Sequence, residues 1–293
     1  MLYGTPERLR LLARDTVYFS RYIRRRLIDN NAKPIYLCNS YPKSGTHLLS
    51  QILMGIHNIK YWDDIVSVQS LSGVMNSEFH IRWKIGSAPS GSLVRSHLTC
   101  DPIILKILEE RPNKRIFMYR DLRDVAVSHA NWVMKEPRIF LHNIYKNNLK
   151  DFDDRLSATI LGTPLGSPFS SNVSQPTISQ DFERWYGWLT EPSTLAIRFE
   201  DLVGSRGGGD ENIRIKTIGM ITKHIGANIS LEEIENRFSS ITLDPNQSHT
   251  FRKGNKGAIG GWREKFNSRH KDEFKRVAGD MLIKLGYEQN NDW

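Results

Sequence analysis

The chain has 293 residues, 39% hydrophobic and 25% charged, enough apolar material for one large core and too much for a disordered or fibrous protein. Its 41 Lys and Arg against 32 Asp and Glu leave a formal net charge of +9, which favours an anionic ligand without separating a nucleotide from nucleic acid or an anionic membrane. Only two cysteines, Cys38 and Cys100, are present, which excludes a disulfide framework and points to a reducing compartment. No apolar run approaches the ~20 residues needed to cross a bilayer, and no apolar signal core stands near the N-terminus. The expectation is a cytoplasmic protein with no stable membrane insertion.

Residues 1–32 set Leu9, Leu12, Val17, Phe19, Tyr22 and Ile23 among the arginines 8, 10, 14, 21, 24, 25 and 26. The pattern predicts one or two basic amphipathic helices that pack an apolar face on a single domain formed by residues 33–293; contact with a membrane surface is the alternative. A β-rich run over 35–41 then breaks at Pro42-Lys43-Ser44-Gly45 into a helix-like pattern over 46–59. Such a turn aims backbone N–H groups and the positive end of a helix dipole at one point, while Lys43, Ser44 and Thr46 add a cation and two hydroxyls. The lysine precedes the glycine, so the spacing fits neither G-x-x-x-x-G-K-[ST] nor G-x-G-x-x-G. Alone, the segment also reads as a surface turn punctuated by Pro and Gly.

A short strand over 92–95 leads to Ser96-His97-Leu98, and a helix follows over 102–110. The strand over 115–119 runs into Arg120-Asp121-Leu122-Arg123-Asp124 and a helix over 124–135. Arg120 thus stands at the carboxyl end of a strand, where open α/β sheets place their ligands, and its planar fork suits a phosphate. Ser128, one to two turns into the helix, can face the same anion. Residues 136–180 show no clean period and read as a long irregular loop. A helix over 179–188, a strand over 194–199, a glycine-rich turn over 204–210 and a helix over 212–225 come next. The segment Thr250-Phe251-Arg252-Lys253-Gly254-Asn255-Lys256-Gly257-Ala258-Ile259-Gly260-Gly261-Trp262 is a third anion-binding grammar, with three cations and four glycines, before a last helix over 268–285. The alternation predicts an α/β fold: a single domain with a central parallel sheet, helices on both faces, and Lys43, His97 and Arg120 along one edge.

Tyr-Pro-Lys-Ser-Gly-Thr, Arg-Asp-x-Arg-Asp-Val-Ala-Val-Ser and Phe-Arg-Lys-Gly, in that order, resemble the soluble, cytosolic-type sulfotransferase family over about residues 33–266. The resemblance implies transfer of a sulfuryl group from 3′-phosphoadenosine 5′-phosphosulfate (PAPS) to a hydroxyl or amine of a small-molecule acceptor, leaving 3′-phosphoadenosine 5′-phosphate (PAP). It implies a P-loop-like strand–loop–helix phosphosulfate site in which Lys43, Ser44, Gly45 and Thr46 cradle the 5′-phosphosulfate and Lys43 meets charge on the leaving oxygen. Arg120 and Ser128 would hold the 3′-phosphate, and Arg252, Lys253 and Gly254 would close on it from the other side. His97 matches the family's general base, a group of near-neutral pKa placed to take the acceptor's proton. Arg95 stands where the family has a lysine two residues before that base and would stabilise the transition state.

The chain also departs from the pattern. His47 replaces a second threonine, and Leu48 a tryptophan that stacks on adenine. Phe199 keeps the ring of an adenine-contacting tyrosine without its hydroxyl, and Ser240 is the counterpart of another adenine neighbour. The glycine loop has five residues between Lys253-Gly254 and Gly260-Gly261-Trp262 where the family has two, so Lys256 and Gly257 share the candidacy for the clamp. In place of the family's Lys-x-x-x-Thr-Val dimer signature, Glu264-Lys265-Phe266-Asn267-Ser268 follows Arg263, which leaves monomer and homodimer open.

Trp62, Phe79, Trp83, Phe140, Phe152 and Phe169 are candidate acceptor walls. No His/Cys/Asp cluster has metal-ligand spacing, so neither a metal nor a nucleic-acid partner is expected. Two rival readings are an ATP- or GTP-dependent phosphotransferase and a non-enzymatic basic module for RNA or anionic lipid. The first lacks the right lysine–glycine order; the second leaves His97 between two anion sites without a purpose.

Overall fold

In the computed structural model the residues described are 5–28, 33–57, 59–62, 65–71, 73, 75–163, 175–239 and 259–293. Their backbone forms one parallel sheet in the order β2-β3-β1-β4-β5, built from β1 (Ile35–Ser40), β2 (Val66–Ser67), β3 (Leu93–His97), β4 (Asn113–Tyr119) and β5 (Thr194–Arg198). The helices are α1 (Thr5–Ile28), α2 (Thr46–His57), α3 (Glu78–Gly86), α4 (Pro102–Glu109), α5 (Leu122–Lys135), α6 (Phe140–Asn148), α7 (Phe152–Leu161), α8 (Ile178–Tyr186), α9 (Glu211–Ile225), α10 (Leu231–Ser239) and α11 (Ser268–Lys284).

The strands are apolar on both faces, as a sheet covered twice requires. Leu37, Val94 and Phe117 project into a core shared with α3, α4, α5, α7, α8 and α11. Their strand neighbours Cys38, Leu93, Ile116 and Met118 project into a second core with α2, α9 and α10. The chain leaving β1 therefore turns to one face and the chain leaving β4 to the other. Between two such adjacent strands the carboxyl ends open a crevice. Helix starts are fixed locally: Asp101 accepts from Ile103 and Ile104 N–H ahead of Pro102, and Asp121 accepts from Arg123 N–H.

Two parts of the chain differ from the sequence reading. Residues 136–180 are not one irregular loop, since α6, α7 and the start of α8 lie within them. Leu141 and Tyr145 bury one side of α6; Asp151 caps α7, whose Leu156, Ala158 and Ile160 are buried. Nine- and ten-residue helices are too short for their period to stand out. The helices α3 and α10 and the two-residue β2 were also missed. Residues 204–210 form a short 3₁₀ turn, Ser205–Gly207, between Gly204 at φ 68° and Gly208 at φ 87°.

The N-terminal segment is one helix that packs against α3. Tyr18 is buried with its ring 6.4 Å from Trp62 and 5.6 Å from His80, and Asp15 meets His80 Nδ1 at 2.6 Å. Among the described residues no helix is long and apolar enough to cross a membrane.

Candidate active site

The turn after β1 is held open by conformations that most residues avoid. Lys43 adopts φ 68° and Gly45 φ 105°. A Cβ on Gly45 would stand 2.6 Å from Cδ2 of Phe199 and 3.1 Å from the sulfur of Met118, so backbone and packing both require glycine there. The first intrahelical bond of α2 runs from Leu49 N–H to Gly45 C=O, which leaves the N–H groups of the first turn facing the crevice without intrahelical acceptors. Ser44 is fully buried, and its Oγ has no hydrogen-bond partner among the described residues. Thr46 Oγ1 lies 2.6 Å from Ser40 Oγ.

Lys43 has no carboxylate partner among the described residues; its Nζ lies 4.6 Å from the centroid of the Trp132 ring. Burial, then the charges of Arg120 and Lys135, lower its pKa to about 8. Arg120 is buried at the end of β4, with its guanidinium 4.2 Å above the Phe199 ring and Nη2 3.3 Å from Asp124. A half-buried and a buried cation close enough to repel, beside a buried hydroxyl with no partner among the described residues, make a site suited to an anion. Ser128 is half-buried on the second turn of α5.

His97 ends β3, beside β1 in the sheet. Its Nδ1 lies 2.8 Å from the carbonyl oxygen of Ser40. A carbonyl only accepts, so the proton is on Nδ1 and the Nε2 lone pair is left for a substrate. Burial lowers the pKa to about 4 against the opposing Ser40 bond, with Lys43 and Arg95 adding to the depression. The imidazole is therefore neutral at physiological pH. Arg95, two residues earlier, lies 4.1 Å over the Tyr61 ring, donates to Tyr61 Oη, and donates from Nη1 to His47 Nδ1 at 3.2 Å.

Lys43, Ser44, Gly45, Thr46, His47, Arg95, His97, Arg120 and Ser128 all lie at the carboxyl end of the sheet or on the helices that start there. Leu48 and Phe199 do not offer a surface to the crevice: both are fully buried. Leu48 faces inward with Ile52 in the core beneath α2, and Phe199 packs between Gly45 and Arg120. Of the candidate acceptor walls, Trp62 is covered by Tyr18 and Phe140 packs over Gly73. Ser240, Arg252, Lys253, Gly254, Lys256, Gly257 and Phe169 lie outside the described residues.

Two residues of the site escaped the sequence reading. Asn39 is 1% exposed; its Oδ1 accepts from Leu98 N–H and Ser96 Oγ, and its Nδ2 donates to Leu98 C=O, each at 2.9 Å. It fastens the strand end that carries His97. A lone Asn closing an apolar strand was the available signal. Asp124 accepts from the N–H groups of Gly260 and Trp262, both at 2.9 Å, so the segment returning from the glycine loop is anchored beside Arg120. Burial raises the Asp124 pKa, and the charge of Arg120 opposes that shift. Among the described residues no three His, Cys, Asp or Glu side chains are grouped to hold a metal ion.

The sulfotransferase domain model matches residues 33–205, the stretch that contains every strand and the motifs around Lys43, His97 and Arg120. Mouse sulfotransferase SULT7A1, crystallised with PAP, shares the fold with a TM-score of 0.58 and 17% identity, covering 87% of this chain and 85% of that one. Retinol dehydratase in complex with androsterone and inactive cofactor PAP has a TM-score of 0.54 and 16% identity, covering 90% and 85%. No curated protein sequence matches the chain. At such identities the structural neighbours carry the fold, and the domain match carries the family: the chain belongs to the sulfotransferase domain family.

Proposed function

We propose that the chain transfers a sulfuryl group from PAPS to a hydroxyl or amine of a small-molecule acceptor. The observation that carries the proposal is the convergence of cations and donors at the β1 turn: half-buried Lys43 feels the charge of buried Arg120, and Ser44 Oγ is buried with no hydrogen-bond partner among the described residues. A nucleotide with phosphate groups at both its 3′ and 5′ ends complements both cations. The two structural neighbours were each crystallised with PAP, and one also with androsterone.

The residues fit such a donor. Ser44, Thr46 and the N–H groups opening α2 cradle its 5′ end, and Lys43 neutralises negative charge as it gathers on the departing oxygen. Arg120, held flat over Phe199, takes the 3′-phosphate with Ser128. Asp124 fixes Gly260 and Trp262, which follow the stretch carrying Arg252, Lys253 and Gly254; to those three we assign the second hold on that phosphate. PAPS brings the activated sulfuryl group; positioning, and cations that meet developing charge, supply most of the acceleration.

His97 takes the acceptor proton at Nε2, since Nδ1 is spent on Ser40. On its own a base of pKa about 4 is weak. The negative charge of a bound donor offsets Lys43 and Arg95 and raises its proton affinity where the proton must be taken. Arg95 lends positive charge from the next strand position on the same face of β3.

The test is transfer of labelled sulfuryl from PAPS to a panel of phenols, alcohols and amines. Labelled product that disappears in His97→Ala supports the proposal. A protein that binds PAPS yet labels nothing in a broad panel, or one whose product persists in His97→Ala, contradicts the assigned chemistry.

A further inference from the structure

Thirteen large apolar side chains are exposed among the described residues, and nine of them fall within residues 17–79: Val17, Phe19, Ile23, Leu27, Ile28, Tyr61, Leu71, Met75 and Phe79. Scattered singly they would need no explanation; gathered on one helix and the segment beside it they do. Phe19, Ile23 and Leu27 are spaced by four, so they form one stripe along α1. The stripe continues onto α3, where the Trp83 ring lies 4.9 Å from Phe19 and 5.8 Å from Phe79. Leu27 and Phe79, at its two ends, are 76% and 58% exposed.

Apart from the contact of Phe19 with Trp83, this stripe is not the face by which α1 joins the domain. Tyr18, Tyr22 and Asp15 make that contact, against Trp62, Gly86 and His80. From Ala13 to Ile28 the helix carries five arginines and a single carboxylate, Asp15, which is paired with Arg14 at 3.3 Å and meets His80; at 100° per residue Arg24 and Arg26 border the stripe, while Arg14, Arg21 and Arg25 lie on the far side of the helix. Glu78, beside Phe79, is paired with Arg82 at 2.6 Å. The stripe is therefore apolar, flanked by cations, and its neighbouring acids are neutralised.

A second protein would need a matching groove lined with acids. A flat anionic lipid surface meets both requirements at once, with acyl chains for Leu27, Ile23 and the aromatic rings, and phosphate headgroups for Arg24 and Arg26 at the borders of the stripe. We propose that the exposed stripe Phe79–Trp83–Phe19–Ile23–Leu27 docks the protein on an anionic membrane surface. Arg14 donates to Asn76 Oδ1 at 3.3 Å, and Asn76 donates to Ser67 C=O at 2.8 Å, where Ser67 pairs with His97 across the sheet. Docking through α1 thus brings the bilayer to the side of the domain where β3 ends.

The test is co-sedimentation of the full chain with mixed phosphatidylglycerol–phosphatidylcholine vesicles and with pure phosphatidylcholine vesicles. The chain partitions onto the anionic vesicles at least about tenfold better than onto the neutral ones. The double variant Ile23→Glu with Leu27→Glu, which alters only exposed positions, lowers that partition by about tenfold or more. Ile213→Glu, an exposed site on α9, leaves it unchanged. Equal binding to both vesicle types, no binding to either, or an unaffected double variant would overturn the proposal. So would sedimentation velocity showing a dimer that the double variant dissolves, because the stripe would then be covered by a second copy.

Discussion

The Nδ1 of His97 lies 2.8 Å from the carbonyl oxygen of Ser40, three residues before Lys43. The candidate base and the candidate leaving-group cation are thus set from one strand end, and neither can move far without the other. Replacing His97 by Ala is expected to abolish turnover while PAP affinity changes by less than about threefold, as titration of the variant would show. A large loss of PAP affinity together with activity would place His97 in donor binding instead.

The pH profile of kcat/KM should carry two displaced limbs. His97 has its pKa lowered from 6.5 to about 4, so the base stays neutral and competent well into acid and the acid limb lies far below 6.5. Lys43, lowered to about 8, loses its charge as pH rises through that value, giving an alkaline limb there. In Lys43→Arg, whose guanidinium does not titrate in this range, the alkaline limb moves upward even if the rate falls. An unmoved limb would assign it to another group.

Stability should fall on acidification for a related reason. His97 and His129 are both lowered to about 4 in the fold, burial being the main cause. Between pH 6.5 and 4 the unfolded chain binds protons there that the folded chain refuses, so stability is complete above about 6.5 and declines as pH drops toward 4. His129→Gln should flatten part of that slope in thermal melts recorded across the range. A slope unchanged by the substitution would mean that other groups govern acid unfolding.

Gly45→Ala places a methyl group 2.6 Å from the Phe199 ring on a backbone at φ 105°. The expected cost is about 2–4 kcal/mol of stability, with donor binding lost in what still folds. Phe199→Ala removes the clash and leaves the backbone strain, so adding it to Gly45→Ala rescues only part. Full rescue in denaturant titrations would show that packing alone demands the glycine.

Asn39→Ala leaves the buried N–H of Leu98 without its acceptor, which costs about 1–3 kcal/mol, while Trp188 Nε1 still donates to Leu98 C=O. Because Asn39 acts through the strand that presents His97, kcat should fall more than PAP affinity does. Equal losses in both would make Asn39 a general support of the fold.

The turn chemistry around Lys43 and Arg120 was legible because each stretch carries its own grammar within about ten residues: an apolar strand, a charged or glycine-bearing turn, a helix start. Side chains that matter through distant pairing were not. Asn39 earns its place only when β1 lies in register with β3, and Phe199 only when β5 brings a ring beneath Gly45 and Arg120 from more than seventy residues away. The burial of Leu48 and Phe199 was equally out of reach of their motifs: both side chains are 0% exposed and pack in the core. The helices α6 and α7 were hidden because short elements rich in Asn and Asp carry loop composition and helical caps at once.

The most direct measurement is calorimetric titration of the purified chain with PAP, beside ADP and beside ATP with magnesium, repeated for Arg120→Ala. Tight, magnesium-independent binding of PAP that exceeds ADP, and that Arg120→Ala weakens far more for PAP than for adenosine 5′-phosphosulfate, is the expected result. No binding of PAP, or PAP and ADP bound alike with Arg120→Ala indifferent to the 3′-phosphate, would contradict a donor site built from Lys43 and Arg120.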